Sequence, residues 1–139
     1  MLPRFLTTAA TTTTLLRQTI NKMAPVTHIV GFRFKPTVSE EDKQRLIREM
    51  VGLRKNCVKE DGKPYILSLT GGPQSSPEKA FATPHDLVFH VLFASAADRD
   101  YYLQKDQAHK KFGGETAAKL LDGENGGVVV LDFEHVLEG

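Results

Sequence analysis

Two kinds of hydrophobic spacing alternate along residues 26–136. Apolar side chains recur at every second position, or run almost without interruption, in four short stretches typical of β-strands: 26–34, 65–72, 86–94 and 126–136. Amphipathic helical patterns lie between the first and second of these stretches, and again between the third and fourth. The predicted order of elements is therefore β-α-β-β-α-β.

Polar residues before the first helical pattern indicate where that helix begins. Ser39 is a predicted N-cap, and Glu40, Glu41 and Asp42 follow it in the first turn, where negative charge suits the helix dipole. Apolar residues then recur at spacings of three and four. The first helix should therefore continue to about Asn56.

The second helical region is predicted to be interrupted. Ser95 should cap a short helix, and a further helix should run from about Gln107 to Leu121. Gly113 and Gly114 lie inside that second piece, and each glycine costs about 1 kcal/mol in a helix interior. A kink or a loop is therefore expected at the glycine pair.

This order of elements predicts an α+β fold of the ferredoxin-like type, in which a four-stranded antiparallel sheet carries both helices on one face. Neither face of the first, third and fourth strands is polar. One face is predicted to hold Ile29, Val88, Leu92, Val128 and Val130, and the other Val30, Phe89, Val91 and Leu131. Because the chain has no helix left for the second face, a second copy of the sheet should cover it. The expected assembly is a homodimer, a dimeric α/β barrel.

The first 22 residues differ in composition from the rest of the chain. They contain no acidic residue, three basic residues and seven threonines, without the continuous apolar stretch of a secretory signal. This composition is typical of a mitochondrial transit peptide, and predicts a leader over 1–22, a domain over 23–139 and a location in the mitochondrial matrix. The alternative is translation from Met23, which leaves the leader without function and the protein cytoplasmic.

Charge and residue spacing argue against several classes of partner. The formal net charge is +1, from 18 Lys and Arg against 17 Asp and Glu, so nucleic acid is not an expected partner. No segment approaches the roughly 18 to 20 apolar residues that cross a bilayer. No two histidines have the spacing of a metal site, so no metal is expected. The single cysteine, Cys57, is interpreted as a buried structural thiol and not as a nucleophile.

Candidate chemistry is concentrated in residues 98–112, DRDYYLQKDQAHKKF, which contain Tyr101, Tyr102 and His109. An imidazole with an ordinary pKa near 6.5 can take a proton at neutral pH, and a tyrosine hydroxyl can position it or donate to a developing enolate. The same residues are also typical of a packed helix, where a tyrosine contributes its ring to the core and hydrogen-bonds its hydroxyl. Both interpretations of the segment remain open at this point.

Three segments of the chain together carry a family resemblance. They are the opening strand VTHIVGFRFK with His28, the third strand DLVFHVLFAS, and the helical DYYLQKDQAHKKF with His109. In this combination the chain resembles the stress-response A/B barrel domain family of dimeric α/β barrels, over about residues 26–137. The resemblance implies the ferredoxin-like sheet and the homodimer expected above.

The resemblance also implies roles for individual residues. The family includes olivetolic acid cyclase, a plant enzyme that closes a linear polyketide acid by aldol chemistry without metal or organic cofactor, whereas most other members have no assigned reaction. By this likeness His109 would be the base and Tyr102 or Tyr101 its partner.

Three further positions would line the substrate pocket by the same likeness. His28 matches a first-strand histidine of the family, while Met50 and Leu87 stand where the cyclase has a tyrosine and a histidine. Two polar groups of the cyclase pocket are thus replaced by apolar ones, so the substrate of this chain should differ.

Two functions follow as hypotheses. One is a non-catalytic, dimeric stress-response protein whose interior is either filled or binds a small molecule. The other is a cofactor-free cyclase or lyase that acts on a small apolar carbonyl compound; a cofactor-independent monooxygenase of the same architecture has no distinct residue in its favour. A cavity of several hundred Å³ reaching His109 would favour binding or catalysis over a purely structural interior.

Overall fold

A computed structural model describes residues 12–13 and 24–136. The strands are β1 (Val26–Phe32), β2 (Ile66–Pro73), β3 (Leu87–Phe93) and β4 (Val128–Glu134), and helix α1 (Glu40–Asn56) follows β1 while α2 (Ala96–Gln104) follows β3. A second helical segment consists of α3 (Gln107–Lys111), a π-helical turn (Phe112–Ala117) and α4 (Ala118–Leu120), followed by a 3₁₀ turn at Gly123–Asn125. The predicted leader lies outside the described residues apart from 12–13, so its use in targeting stays a prediction.

The four strands form one antiparallel sheet in the order β2-β3-β1-β4. β1 is central and pairs along its whole length with both β3 and β4. The predicted α+β ferredoxin-like architecture is confirmed. Among the described residues, no helix combines the length and the apolar character needed to cross a bilayer.

The helices begin where the sequence predicts, because serine side chains cap them. Ser39 accepts a hydrogen bond from the Asp42 backbone N–H at 3.1 Å, and Ser95 accepts one from Asp98 at 3.2 Å. α1 then buries Leu46, Met50 and Leu53 against the sheet, as its spacing of three and four requires. Ser39 and Ser95 thus satisfy backbone donors that would otherwise lack partners.

The glycine pair in the second helical segment produces a π-helical turn and not a break. The backbone N–H of Ala118 donates to the carbonyl of Gly113, five residues earlier. An α-helix would make this bond four residues back, so the turn holds one additional residue. The predicted irregularity is therefore present, in a form that keeps the segment helical.

The face of the sheet away from the helices is mostly apolar, and its β4 side chains are exposed. Leu131 and Phe133 on β4 are 62% and 52% exposed. Polar groups on this face include the Thr27 hydroxyl. Its oxygen lies 3.4 Å from the Nε2 atom of His90 and 2.7 Å from the Nε2 atom of His135. We call this surface the outer face.

One sequence-based assignment of sides is wrong. Val128 and Val130 do not share a face with Ile29, because Val30 is paired with Val130 and Ile29 with Leu131. Paired residues in adjacent strands point to the same side of a sheet. Val128 and Val130 therefore face the helices, and the outer face of β4 carries Leu131.

Candidate functional site

A cavity of about 390 Å³ lies between the second helical segment and the helix-facing side of β1 and β4. Its apolar wall is formed by strand and helix side chains: Val30, Phe32, Met50, Phe112, Val128 and Val130. The polar groups lie together in the remaining wall, which contains His28, Tyr102 and His109. The cavity thus combines a large apolar surface with a few convergent polar groups, as small-molecule sites do.

His109 belongs to α3 and lies against Tyr102 of α2. The centroids of the two rings are 3.9 Å apart and the ring planes are inclined by 33°, so the residues pack face against face. Burial lowers the pKa of His109 below its usual 6.5, against the opposing effect of the Asp106 carboxylate. The imidazole is therefore neutral at pH 7 and has a nitrogen lone pair available to take a proton.

Asp106 fixes the position of His109 from behind the cavity. Its carboxylate is buried, caps α3 by accepting the His109 backbone N–H at 3.0 Å, and accepts the Tyr65 hydroxyl at 2.6 Å. Burial, followed by the same carboxylate, raises the pKa of the Cys57 thiol, which disfavours the thiolate. Cys57 is buried, consistent with the interpretation of a structural thiol.

His28 reaches the cavity from β1 in an orientation set by β4. Its Nδ1 lies 2.6 Å from Asp132 Oδ1, and the other oxygen of that carboxylate accepts a hydrogen bond from Arg99 at 2.8 Å. A carboxylate can only accept, so Nδ1 carries the proton, and in the neutral ring Nε2 has the lone pair. Asp132 therefore selects which nitrogen of His28 is free for other contacts.

Tyr102 completes the polar wall. Its ring packs edge-on against His28, with centroids 5.9 Å apart, and is tilted by 51° against Phe93, with centroids 5.2 Å apart. Burial raises the pKa of Tyr102 well above its usual range. The hydroxyl thus stays protonated at every ordinary pH and can serve as a hydrogen-bond donor.

The cavity brings together four of the six predicted site residues: His28, Met50, Tyr102 and His109. Tyr101 lies outside it, edge-on against Tyr65 with centroids 5.3 Å apart. Leu87 is also absent from its walls, because it is buried in the core beneath the helices. The predicted roles of Tyr101 as a base partner and of Leu87 as a pocket residue thus have no geometric support.

A larger groove, of about 570 Å³, lies between α1 and the second helical segment. Charged side chains dominate its walls: Arg45, Glu49, Lys111, Glu115 and Lys119. It contains none of the predicted site residues, and Thr116 donates to Glu49 within it. No group of three His, Cys, Asp or Glu suited to hold a metal ion occurs in the part of the chain that the structure describes.

Comparison with known proteins agrees with this architecture. The model of the stress responsive A/B barrel domain matches residues 26–135, most of the chain. The chain belongs to the stress responsive A/B barrel domain family. The family resemblance noted from the sequence is therefore confirmed, although no curated protein sequence matches the chain significantly.

Solved structures similar to this A/B barrel domain share its fold at low sequence identity. A crystal structure from Arabidopsis thaliana has a TM-score of 0.65 at 22% identity, covering 82% of this chain and 98% of that one. A hydroxynitrile lyase from Passiflora edulis has a TM-score of 0.64 at 19% identity, covering 84% and 98%. A dimeric ferredoxin-like protein of unknown function from Jannaschia sp. has a TM-score of 0.60 at 22% identity, covering 80% and 99%.

Sequence reasoning missed two carboxylates of this A/B barrel domain that orient the histidines. Asp132 lies on the same side of β4 as Val128 and Val130, and an acidic residue on that apolar side was a usable sign of a buried partner. Asp106 stands three residues before His109. This is the spacing between an N-cap residue and the backbone N–H from which its side chain accepts a hydrogen bond.

The first prediction concerns the pH dependence of stability. Because the folded protein holds His109 at a lowered pKa, the unfolded chain binds more protons once the pH falls through about 6.5, and folding stability falls with it. His109→Gln removes this titration. Urea unfolding at several pH values between about 7 and about 5 should therefore give a shallower loss of stability for His109→Gln than for the wild type.

His85→Gln is the matched control for that experiment. His85 lies outside the cavity, with its Nε2 atom 3.0 Å from the Gly126 carbonyl oxygen. The control keeps the contribution of His109 to the pH dependence. Parallel curves for the wild type and His109→Gln would show that burial does not hold His109 in its neutral form.

The second prediction concerns the support of α3 by Tyr65. Tyr65→Phe removes a donor from the buried Asp106 carboxylate and should lower the free energy of unfolding by about 1.5–3 kcal/mol. Tyr101→Phe is the control, because its hydroxyl makes only a 3.5 Å contact with the Val58 carbonyl and should cost less than about 0.5 kcal/mol. Urea denaturation measures both, and equal losses would contradict a special role for the Tyr65–Asp106 bond.

Proposed function

We propose that the protein is a homodimeric A/B barrel domain protein whose cavity binds a small, largely apolar molecule with one carbonyl or hydroxyl group. The observation that carries this proposal is the cavity itself, in which a broad apolar wall adjoins a small group of convergent polar side chains. Apolar walls stabilise the body of such a ligand. His28, Tyr102 and His109 supply hydrogen-bonding groups for one polar head.

The geometry favours a neutral ligand over a charged one. Burial keeps His109 neutral and Tyr102 protonated, so neither contributes a charge to the cavity at pH 7. The Asp132 carboxylate is already engaged by His28 and Arg99. A ligand carbonyl can accept from the Tyr102 hydroxyl or from a histidine N–H, and a ligand hydroxyl can also donate to a free imidazole nitrogen.

The homodimer is proposed from the outer face. Leu131 and Phe133 leave apolar surface exposed beside the partly buried Ile29, Val88 and Leu92, and covering it removes this area from water. A second copy of the chain offers the same apolar face about a two-fold axis. The Jannaschia protein with this fold is described as dimeric, which supports the same arrangement here.

Proton-transfer catalysis without a cofactor is the second candidate function. A neutral imidazole at His109 can remove a proton next to a ligand carbonyl, and the Tyr102 hydroxyl can donate a hydrogen bond to the oxygen on which negative charge develops. His28, oriented by Asp132, offers a further nitrogen for proton exchange. A protein of this fold is described as a hydroxynitrile lyase, so lyase chemistry is compatible with the architecture.

The third prediction tests binding and catalysis separately with acetophenone, a small neutral ketone. Ligand-observed NMR should show that it binds more tightly than ethylbenzene, which lacks the carbonyl. His109→Gln tests whether the histidine then acts as a base. If it does, the protein should accelerate deuteration of the acetophenone methyl group in D₂O, and the variant should lose about 100-fold or more of that rate.

The outcomes of this experiment distinguish the two candidate functions. Binding of acetophenone without accelerated deuteration supports a binding protein and removes the catalytic candidate. Equal affinities for acetophenone and ethylbenzene would show that the polar wall does not recognise a carbonyl. If neither acetophenone nor ethylbenzene binds, the proposed site is refuted.

The fourth prediction concerns self-association. Leu131→Glu places an unpaired carboxylate on the outer face and should weaken the dimer by about 100-fold or more, because the charge would have to leave water on association. Val51→Glu is the control, since Val51 is also exposed but lies on α1 in the helical layer. Sedimentation velocity at micromolar concentration should give a dimer for the wild type and for Val51→Glu. A monomeric wild type would refute the homodimer.

A further inference from the structure

The π-helical turn determines which residues of the second helical segment reach the cavity. Phe112 and Ala117, at the two ends of this turn, both line the cavity although they are five residues apart. Gly113 lies between them and also contributes to the wall, whereas Gly114 does not line the cavity and is exposed. The two glycines are thus adjacent in sequence but differ in their relation to the site.

The fold requires neither glycine for steric reasons. Apart from the adjacent residues and the backbone of the same helix, no described atom lies within 4 Å of a Cβ placed on Gly113 or on Gly114, and neither residue has a positive φ. Glycine is nevertheless among the least favourable residues inside a helix. The open space beside Gly113 adjoins the cavity wall, while the space beside Gly114 is solvent.

The distance from Gly113 to the polar wall indicates which part of a ligand would lie there. Gly113 follows His109 by four residues, about 6 Å along a helix axis. A ligand that lies along the helix axis with its carbonyl at His109 therefore brings atoms about 6 Å further along its body to Gly113. This separation is close to the length of one benzene ring with its first substituent.

We propose that Gly113 determines the size specificity of the cavity, by leaving room for the far end of an aromatic or branched ketone or aldehyde whose carbonyl lies at His109. This inference rests on the proposed function, because it assumes a carbonyl ligand in the cavity. It adds the substrate class and the residue that limits its length. Phe112 and the valines of β4 form the other apolar surfaces around that end of the ligand.

The competing explanation is that the glycine pair serves the π-helical turn alone. In that case Gly113 and Gly114 would be equivalent, and alanine at either position would affect the ligand equally or not at all. The adjacent glycines provide a matched pair of variants that separates the two explanations. Alanine is tolerated sterically at both positions and favours helix, so each variant should fold with a Tm about 2–5 °C above the wild type.

The test measures binding of acetophenone and of 4-tert-butylacetophenone by ligand-observed NMR. Gly113→Ala should lower affinity for the longer ketone by about 10-fold or more and for acetophenone by less than about 3-fold, since the added methyl group occupies space that only the longer ketone needs. Gly114→Ala should bind both ketones as the wild type does.

Each result has a defined meaning. Unchanged binding of 4-tert-butylacetophenone to Gly113→Ala, or an equal loss in Gly114→Ala, would overturn the role of Gly113 and leave the proposed function standing. A wild type that binds neither ketone would instead refute the proposed carbonyl site, and the size-limiting role with it. The Tm values verify that any loss of binding occurs in a folded protein.

Discussion

The central position of β1 is the constraint on which the other features of the structure depend. Hydrogen-bonded on both edges, β1 cannot shift against β3 without also shifting against β4. Its alternation sends His28, Val30 and Phe32 towards the helices, and Thr27 and Ile29 to the outer face. One strand of seven residues therefore supplies part of the cavity wall and part of the surface proposed for dimerisation.

Local features of the fold were predictable because they depend on local interactions. Ser39 and Ser95 could be recognised as caps from the residues that follow them, and Gly113–Gly114 as an irregularity from helix propensity alone. Which side of a strand a residue faces depends instead on pairing with another strand. Val128 and Val130 were assigned to the wrong face for this reason, since period two alone does not say which half faces the helices.

The candidate site shows the same division between local and long-range information. Tyr101 and Tyr102 are about 100° apart around α2, so only one of them can point into the cavity. The sequence of a short helix with few apolar residues does not reveal which of the two tyrosines does so. The type of residue at position 109 could be read from the sequence. Its neutral state could not, because it results from burial by elements distant in the chain.

Asp106 shows how the core supports the site. This buried carboxylate links the residue before β2, Tyr65, to the first turn of α3, and so joins the sheet layer to the helix that carries His109. A buried carboxylate without donors would be strongly unfavourable, so the contact has few alternative geometries. The position of His109 is thereby set by core packing as well as by its own helix.

The contacts of Asp132 also constrain how the sheet forms. β4 is an edge strand with apolar side chains on both faces, so burial of apolar surface alone does not exclude a shift by one residue. Such a shift would move Leu131 to the position opposite His28 and turn Asp132 to the outer face, away from both His28 and Arg99. The aspartate therefore marks the correct register of the last strand, and the same hydrogen bond that orients a cavity histidine discriminates against a misaligned sheet.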